Sequence, residues 1–131
     1  MLKLLDLFRF SDAASWFWGD WDGLFRALIT FVVVEYITAT LVALSERKLS
    51  NQINLKGLSK KVALLLLVGT GHIVDVYLTG GGNAFRTMTI LFYISCEGIA
   101  LLENAAALGL PIPKEWMDFF KQLNHKADDA E

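Results

Sequence analysis

Residues 90–107 read ILFYISCEGIALLENAAA. An apolar run of about 18 residues or more is long enough to cross a bilayer as a helix. This run carries a carboxylate, Glu97, close to its middle. A charge at the bilayer centre costs roughly 2.5–3.5 kcal/mol on insertion scales. A lone acid in that place therefore has to have a partner or a task.

The same pattern recurs in both directions along the chain. Residues 27–44 contain a single charge, Glu35, and residues 62–85 contain a single charge, Asp75. The 131 residues are 54% hydrophobic, with four Trp and nine Phe. A soluble domain is about 45–50% apolar, with its charge spread along the chain. Here the charges fall between or beside the apolar runs, which is the pattern of a membrane protein.

Three spans follow, at about 24–44, 61–79 and 86–108. Inside lipid a segment must satisfy its own backbone hydrogen bonds, so each is expected to be a helix. Twenty-one residues rising about 1.5 Å each cover roughly 31 Å, near the hydrocarbon thickness. Gly80-Gly81-Gly82-Asn83 signals a tight turn between the second and third spans. Pro111 and Pro113 stop the third helix. The fold class expected is an all-α integral membrane protein. Residues 1–23 are read as an amphipathic, interfacial N-terminal segment, 24–108 as the three-helix membrane domain, and 109–131 as a cytoplasmic amphipathic helix with a polar tail. No cleavable signal peptide is expected, because Lys3, Asp6 and Arg9 interrupt the first apolar residues.

Orientation is read from Lys and Arg. Arg47, Lys48, Lys56, Lys60 and Lys61 make the 45–61 connection basic, whereas the 80–86 turn has only Arg86. The N-terminus is accordingly expected outside and the C-terminus in the cytoplasm of a bacterial cell, with the chain multi-pass in the inner membrane. Trp16, Trp18 and Trp21 precede the first span and Trp116 follows the third, where interfacial anchors belong. Trp116, Phe119, Phe120 and Leu123 follow the i, i+3, i+4, i+7 spacing of an amphipathic helix. Its apolar side is expected on the inner leaflet or against the basic connection.

Within the spans the polar residues line up. Arg86, Ile90, Tyr93, Glu97 and Asn104 fall within about 40° of one line at about 100° per residue. Lys61, Val68, His72, Asp75 and Thr79 form a similar face on the second span, and Glu35 shares a side with Thr38 on the first. Three unpaired acids would cost roughly 8–10 kcal/mol together, and His72 is read as the one base near them. Two arrangements satisfy the pattern. The stripes face one another inside a three-helix monomer, or they face neighbouring subunits or water in an oligomer. Three short helices are too few to enclose a sizeable channel, which favours a homo-oligomer. The candidate pore or oligomer residues are Glu35, His72, Asp75, Tyr93, Glu97 and Asn104.

Other classes have less support. No zinc motif, phosphate loop or nucleophile elbow is present, and no basic module points to nucleic acid. Cys96 is the only cysteine and reads as a small buried hydrophobe. No enzyme activity, metal or cofactor is expected.

YISCEGIALLENAAALGLPIP at 93–113 resembles the signature of the toxin-secretion/phage-lysis holins. WDGLFRALITFVVVEYITATLVA at 21–43, KGLSKKV at 56–62 and HIVDVYL at 72–78 are similar to that family's first span, loop and second span. The likeness covers roughly residues 20 to 115. Where the family often has Asp-Tyr-Ile-Thr-Gly, this chain has Glu35-Tyr36-Ile37-Thr38-Ala39. The resemblance implies a protein that accumulates in the bacterial cytoplasmic membrane and assembles into lesions. These collapse the membrane potential and release an endolysin to the cell wall, or export a large toxin, without required direct contact. An antiholin that silences a partner holin, and a small ion-conducting pinhole, are the alternatives it leaves open. The methionines are Met1, Met88 and Met117, so no internal AUG start near the N-terminus can supply an inhibitor.

Overall fold

A computed structural model describes residues 2–47 and 51–129, with side chains placed for 9–47 and 55–127. Five α-helices follow one another: α1 (Leu2–Trp18), α2 (Gly23–Ser45), α3 (Asn51–Ile73), α4 (Ala84–Ala107) and α5 (Lys114–Asp129). A π-helical turn, Val74–Leu78, continues α3. No strand occurs among the described residues.

Three segments are long and apolar enough to cross a membrane: Gly23–Ser45, Leu55–Leu78 and Ala84–Ala107. The first and third lie where the sequence places them. The second begins earlier than residue 61, because the helix has already started at Asn51. Much of the polar 45–60 connection is therefore helical, and Lys56, Lys60 and Lys61 sit on the first turns of a span rather than in a loop.

Local chemistry sets the ends. Asp22 caps α2 by accepting the Phe25 N–H at 2.9 Å. The turn after the π-helical segment needs positive φ at Gly80, Gly81 and Gly82 (83°, 116° and 88°), which only glycine adopts without strain. The wide turn before it is closed by Thr79 N–H to the Val74 carbonyl, 3.1 Å, and Gly81 N–H to the Asp75 carbonyl, 2.8 Å.

α4 is the central element, packed against α2, α3 and α5. Phe25, Leu28 and Val32 of α2 meet Leu64 and Val68 of α3 and Ile90, Ile94 and Leu102 of α4. The outward faces are apolar too: Val33, Ile37 and Leu41 on α2 and Leu58, Val62 and Leu66 on α3 are about half exposed. Among the described residues the buried polar ones are Glu35, Asp75, Arg86, Ser95 and Glu97. Apolar outside with charges inside is the reverse of a water-soluble domain and suits a lipid solvent.

Both terminal helices contact the three-span bundle. α1 is a helix. Its end is sewn into the bundle. Trp18 donates its indole N–H to the Leu65 carbonyl at 2.8 Å. Trp16 (59% exposed), Trp21 and Trp116 remain at the surface, with Trp16 donating to the Tyr77 hydroxyl at 3.1 Å. α5 docks on α4. It turns back at Gly109–Pro113 and packs antiparallel along α4, because Gly98 leaves a notch that the Phe120 ring fills.

Candidate functional site

The polar layer is built in register with the core. Glu35 is one turn beyond Val32 on α2, Glu97 one turn beyond Ile94 on α4, and Lys61 one turn before Leu64 on α3. Residues three apart share a helix face. The packing that brings Val32, Ile94 and Leu64 together therefore also brings the two acids and the lysine together.

Lys61 Nζ lies 2.5 Å from Glu35 Oε2 and 2.7 Å from each Glu97 carboxylate oxygen. Glu35 and Glu97 are 9% and 6% exposed, so the bridge is almost dry. One ammonium serves two carboxylates. Charge-assisted bonds of this length are strong, but removing either partner would strand a buried charge. Asn104 extends the cluster, donating to Thr38 Oγ1 at 3.0 Å and to Glu35 Oε1 at 3.3 Å. Two clefts flank Lys61. One of about 310 Å³ lies beside Glu35, Tyr36, Ala39 and Gly57, and one of about 350 Å³ beside Leu67, Tyr93, Cys96 and Glu97.

This corrects the reading of His72 as the base near the acids. The cation that reaches Glu35 and Glu97 is Lys61, whose long apolar stem carries its ammonium inward from the end of the span. The signal was present in the sequence, since Lys61 shares a face with Val68, His72 and Asp75. Its place in a basic connection concealed it.

The other candidates gather at the opposite end of the bundle. Asp75, 1% exposed, accepts the Phe85 and Arg86 backbone N–H groups at 2.9 Å each. It caps α4 from the neighbouring helix, using donors that a helix start leaves unsatisfied. Arg86 folds back across the same end. Its guanidinium reaches the Trp18 carbonyl (2.6 Å), the Asp20 carbonyl (2.6 Å) and Asp22 Oδ2 (3.1 Å), and it stacks over the Phe25 ring at 5.6 Å. Burial pushes the Asp22 carboxyl up, but the Phe25 N–H and the Arg86 guanidinium outweigh it and hold the group below its ordinary value. His72 is half-buried beneath Gly19, where an added Cβ would lie 2.9 Å from its Nδ1. Tyr93 is half-buried on the α4 side of the lysine, edge-on to Phe92. The structure thus joins Glu35, Glu97 and Asn104 in one cluster and places His72 and Asp75 in another. Lys61, Arg86 and Phe120, which the sequence places on polar or amphipathic faces but not among the candidates, contribute as well, together with Asp22 and Asn124. Among the described residues no group of His, Cys, Asp and Glu is placed to hold a metal ion.

A profile of the bacteriophage holin family matches residues 12–125. The chain belongs to the bacteriophage holin family. That family forms membrane pores and is not enzymatic. Together with three membrane-length helices, the membership makes this a membrane-embedded holin-type protein. Among curated relatives, an uncharacterized 14.9 kDa protein in the nagH 3′ region of Clostridium perfringens is 38% identical over 86% of this chain and 85% of its own length. The uncharacterized protein Lin0175 of Listeria innocua is 31% identical over 97% of this holin-family chain and 90% of its own. YtkC of Bacillus subtilis, also uncharacterized, is 32% identical over 88% and 85%. No solved structure matches this holin-family chain.

Proposed function

We propose that the protein oligomerises in the bacterial cytoplasmic membrane and opens pores or lesions there. These collapse the membrane potential and let a cytoplasmic endolysin, or a large toxin, cross. The observation that carries this reading is the Glu35–Lys61–Glu97 bridge inside a bundle whose outer faces are apolar. Buried ionisable groups in a membrane bundle are costly, and they mark pathways for water and ions. In the dispersed subunit the three charges neutralise one another as far as one cation allows. Loosening of α3 from α2 and α4 on assembly exposes the acids to water, and Asn104 and Tyr93 lie on the same wall. His72 and Asp75 belong to the opposite end of this surface, where Asp75 holds the hairpin that presents it. The basic start of α3 favours a cytoplasmic 45–61 connection and an outside N-terminus.

The test is expression in bacteria together with a signal-less endolysin, recording membrane potential and turbidity. Abrupt depolarisation followed at once by lysis supports the reading. Depolarisation without lysis would reduce it to an ion-conducting pinhole. Healthy cells with abundant inserted protein would replace it with an antiholin that silences a partner.

A further inference from the structure

We propose that α5, docked on α4, forms the wall of the aqueous lumen in the assembled protein. This rests on the pore reading above and adds α5 to the water-facing surface that carries Glu35, Glu97, Asn104 and Tyr93. Most of the apolar side of α5 faces the bundle, with Trp116 and Phe119 left exposed at its edge. Phe120 sits on Gly98 and meets Phe31 of α2 edge-on with ring centroids 5.5 Å apart. Asn124 donates to Ser95 Oγ at 2.8 Å and to Cys96 Sγ at 3.3 Å. Leu123 and Ala127 lie beside Met88 and Leu91.

These contacts fix the depth of α5. α4 is a membrane span, and Ser95 and Gly98 are near its middle. The middle of α5 is therefore level with the middle of the span. At 16 residues α5 is about 24 Å long, most of a hydrocarbon layer of about 30 Å. Its outward side presents Lys114, Asp118, Lys121, Gln122 and Lys126, all exposed. Lipid at that depth strongly disfavours such a face, whereas water accepts it. The remaining outer faces, on α2 and α3, are apolar and suit lipid. A predominantly polar side on α5 and apolar outer faces on α2 and α3 are what a subunit bordering a water-filled opening requires.

The same reasoning moves α5 in the dispersed subunit, which has lipid on every side. There α5 leaves α4 and rests in the headgroup region, turning about the Gly109–Pro113 connector. Gly109 has φ of 90°, and the two prolines keep this stretch from becoming helix. Docking of α5 is thus coupled to assembly.

The test uses purified full-length protein in dye-loaded vesicles of bacterial phospholipid. Asn124→Cys places a thiol beside the native Cys96, and oxidation ties α5 to α4. The tied protein is expected to release dye within about twofold of the untied rate. Release that is lost on oxidation and restored by reductant would overturn the proposal while leaving the pore reading intact. Wild-type protein that releases nothing would overturn both. Spin labels on Met88→Cys and Lys126→Cys, in a Cys96→Ser background, give an independent measure that needs no disulfide. A short separation in the assembled protein, lengthening on dilution into lipid, is expected. A long separation in the assembled state would refute the docked wall.

Discussion

Lys61 grips both carboxylate oxygens of Glu97 at 2.7 Å, although 36 positions separate the two residues in the chain. The bridge joins α3 to α4 through side chains that are largely buried. Lys61→Met should cost about 3–5 kcal/mol, the usual penalty for stranding buried charge. Adding Glu35→Gln and Glu97→Gln to Lys61→Met should recover most of that loss. Unfolding in mild detergent, followed by circular dichroism, measures both. Equal stability of the single and triple variants would show that the bridge is not a structural tie.

Asp75 should behave differently, because its partners are backbone groups. Asp75→Ala leaves the Phe85 and Arg86 N–H groups without acceptors and is expected to cost about 1–3 kcal/mol. Asp75→Asn keeps one acceptor oxygen and should lose less. Hydrogen exchange at the first turn of α4 reads the effect directly: protection falls there before it falls in α2.

The Gly98 notch tests how α5 is held. A Cβ at this position would come within 2.6 Å of the Phe120 ring. Gly98→Leu should push α5 off α4 and raise protease cleavage in the Gly109–Pro113 connector several-fold, with α2–α4 still folded. Adding Phe120→Ala to Gly98→Leu makes room for the new side chain and should restore part of the protection.

The Asp22–Arg86 contact gives a pH signature with a defined sign. The folded protein holds the Asp22 carboxyl below its ordinary value, so its contribution is full above the usual carboxylate range. The contribution disappears as pH falls through the lowered folded value, below about 4. Asp22 is half exposed, so the effect is small, under about 1 kcal/mol. The melting temperature of the wild type should exceed that of Asp22→Asn at pH 7, and the gap should close between about pH 5 and pH 3. A gap that stays constant over this range would remove the ion pair from the account.

The spans were legible because lipid imposes one rule on long stretches: uninterrupted apolarity and internally satisfied backbone. The periodic polar stripes were legible for the same reason. What the stripes touch was not. Lys61 has the sequence neighbours of a loop lysine, and only the helical start of α3 shows that its stem can carry the ammonium inward. Asp75 and His72 are neighbours on one helix, yet Asp75 is engaged by backbone donors ten residues away, across a turn whose geometry periodicity does not encode. The spacing of Phe120 and Leu123 shows that a face must be covered. It does not name Gly98 as the cover, because the fit depends on a missing side chain on another helix.

The Asp75 cap bears on how the chain enters a bilayer. A carboxylate threaded alone through hydrocarbon has no partner, and the open N-terminal turn of α4 threaded alone has donors with no acceptor. Each supplies what the other lacks, and only the Gly80–Gly82 turn lies between the segments that carry them. The two helices joined by that turn therefore enter lipid together at lower cost than either would alone, because each carries the other's partner for these groups.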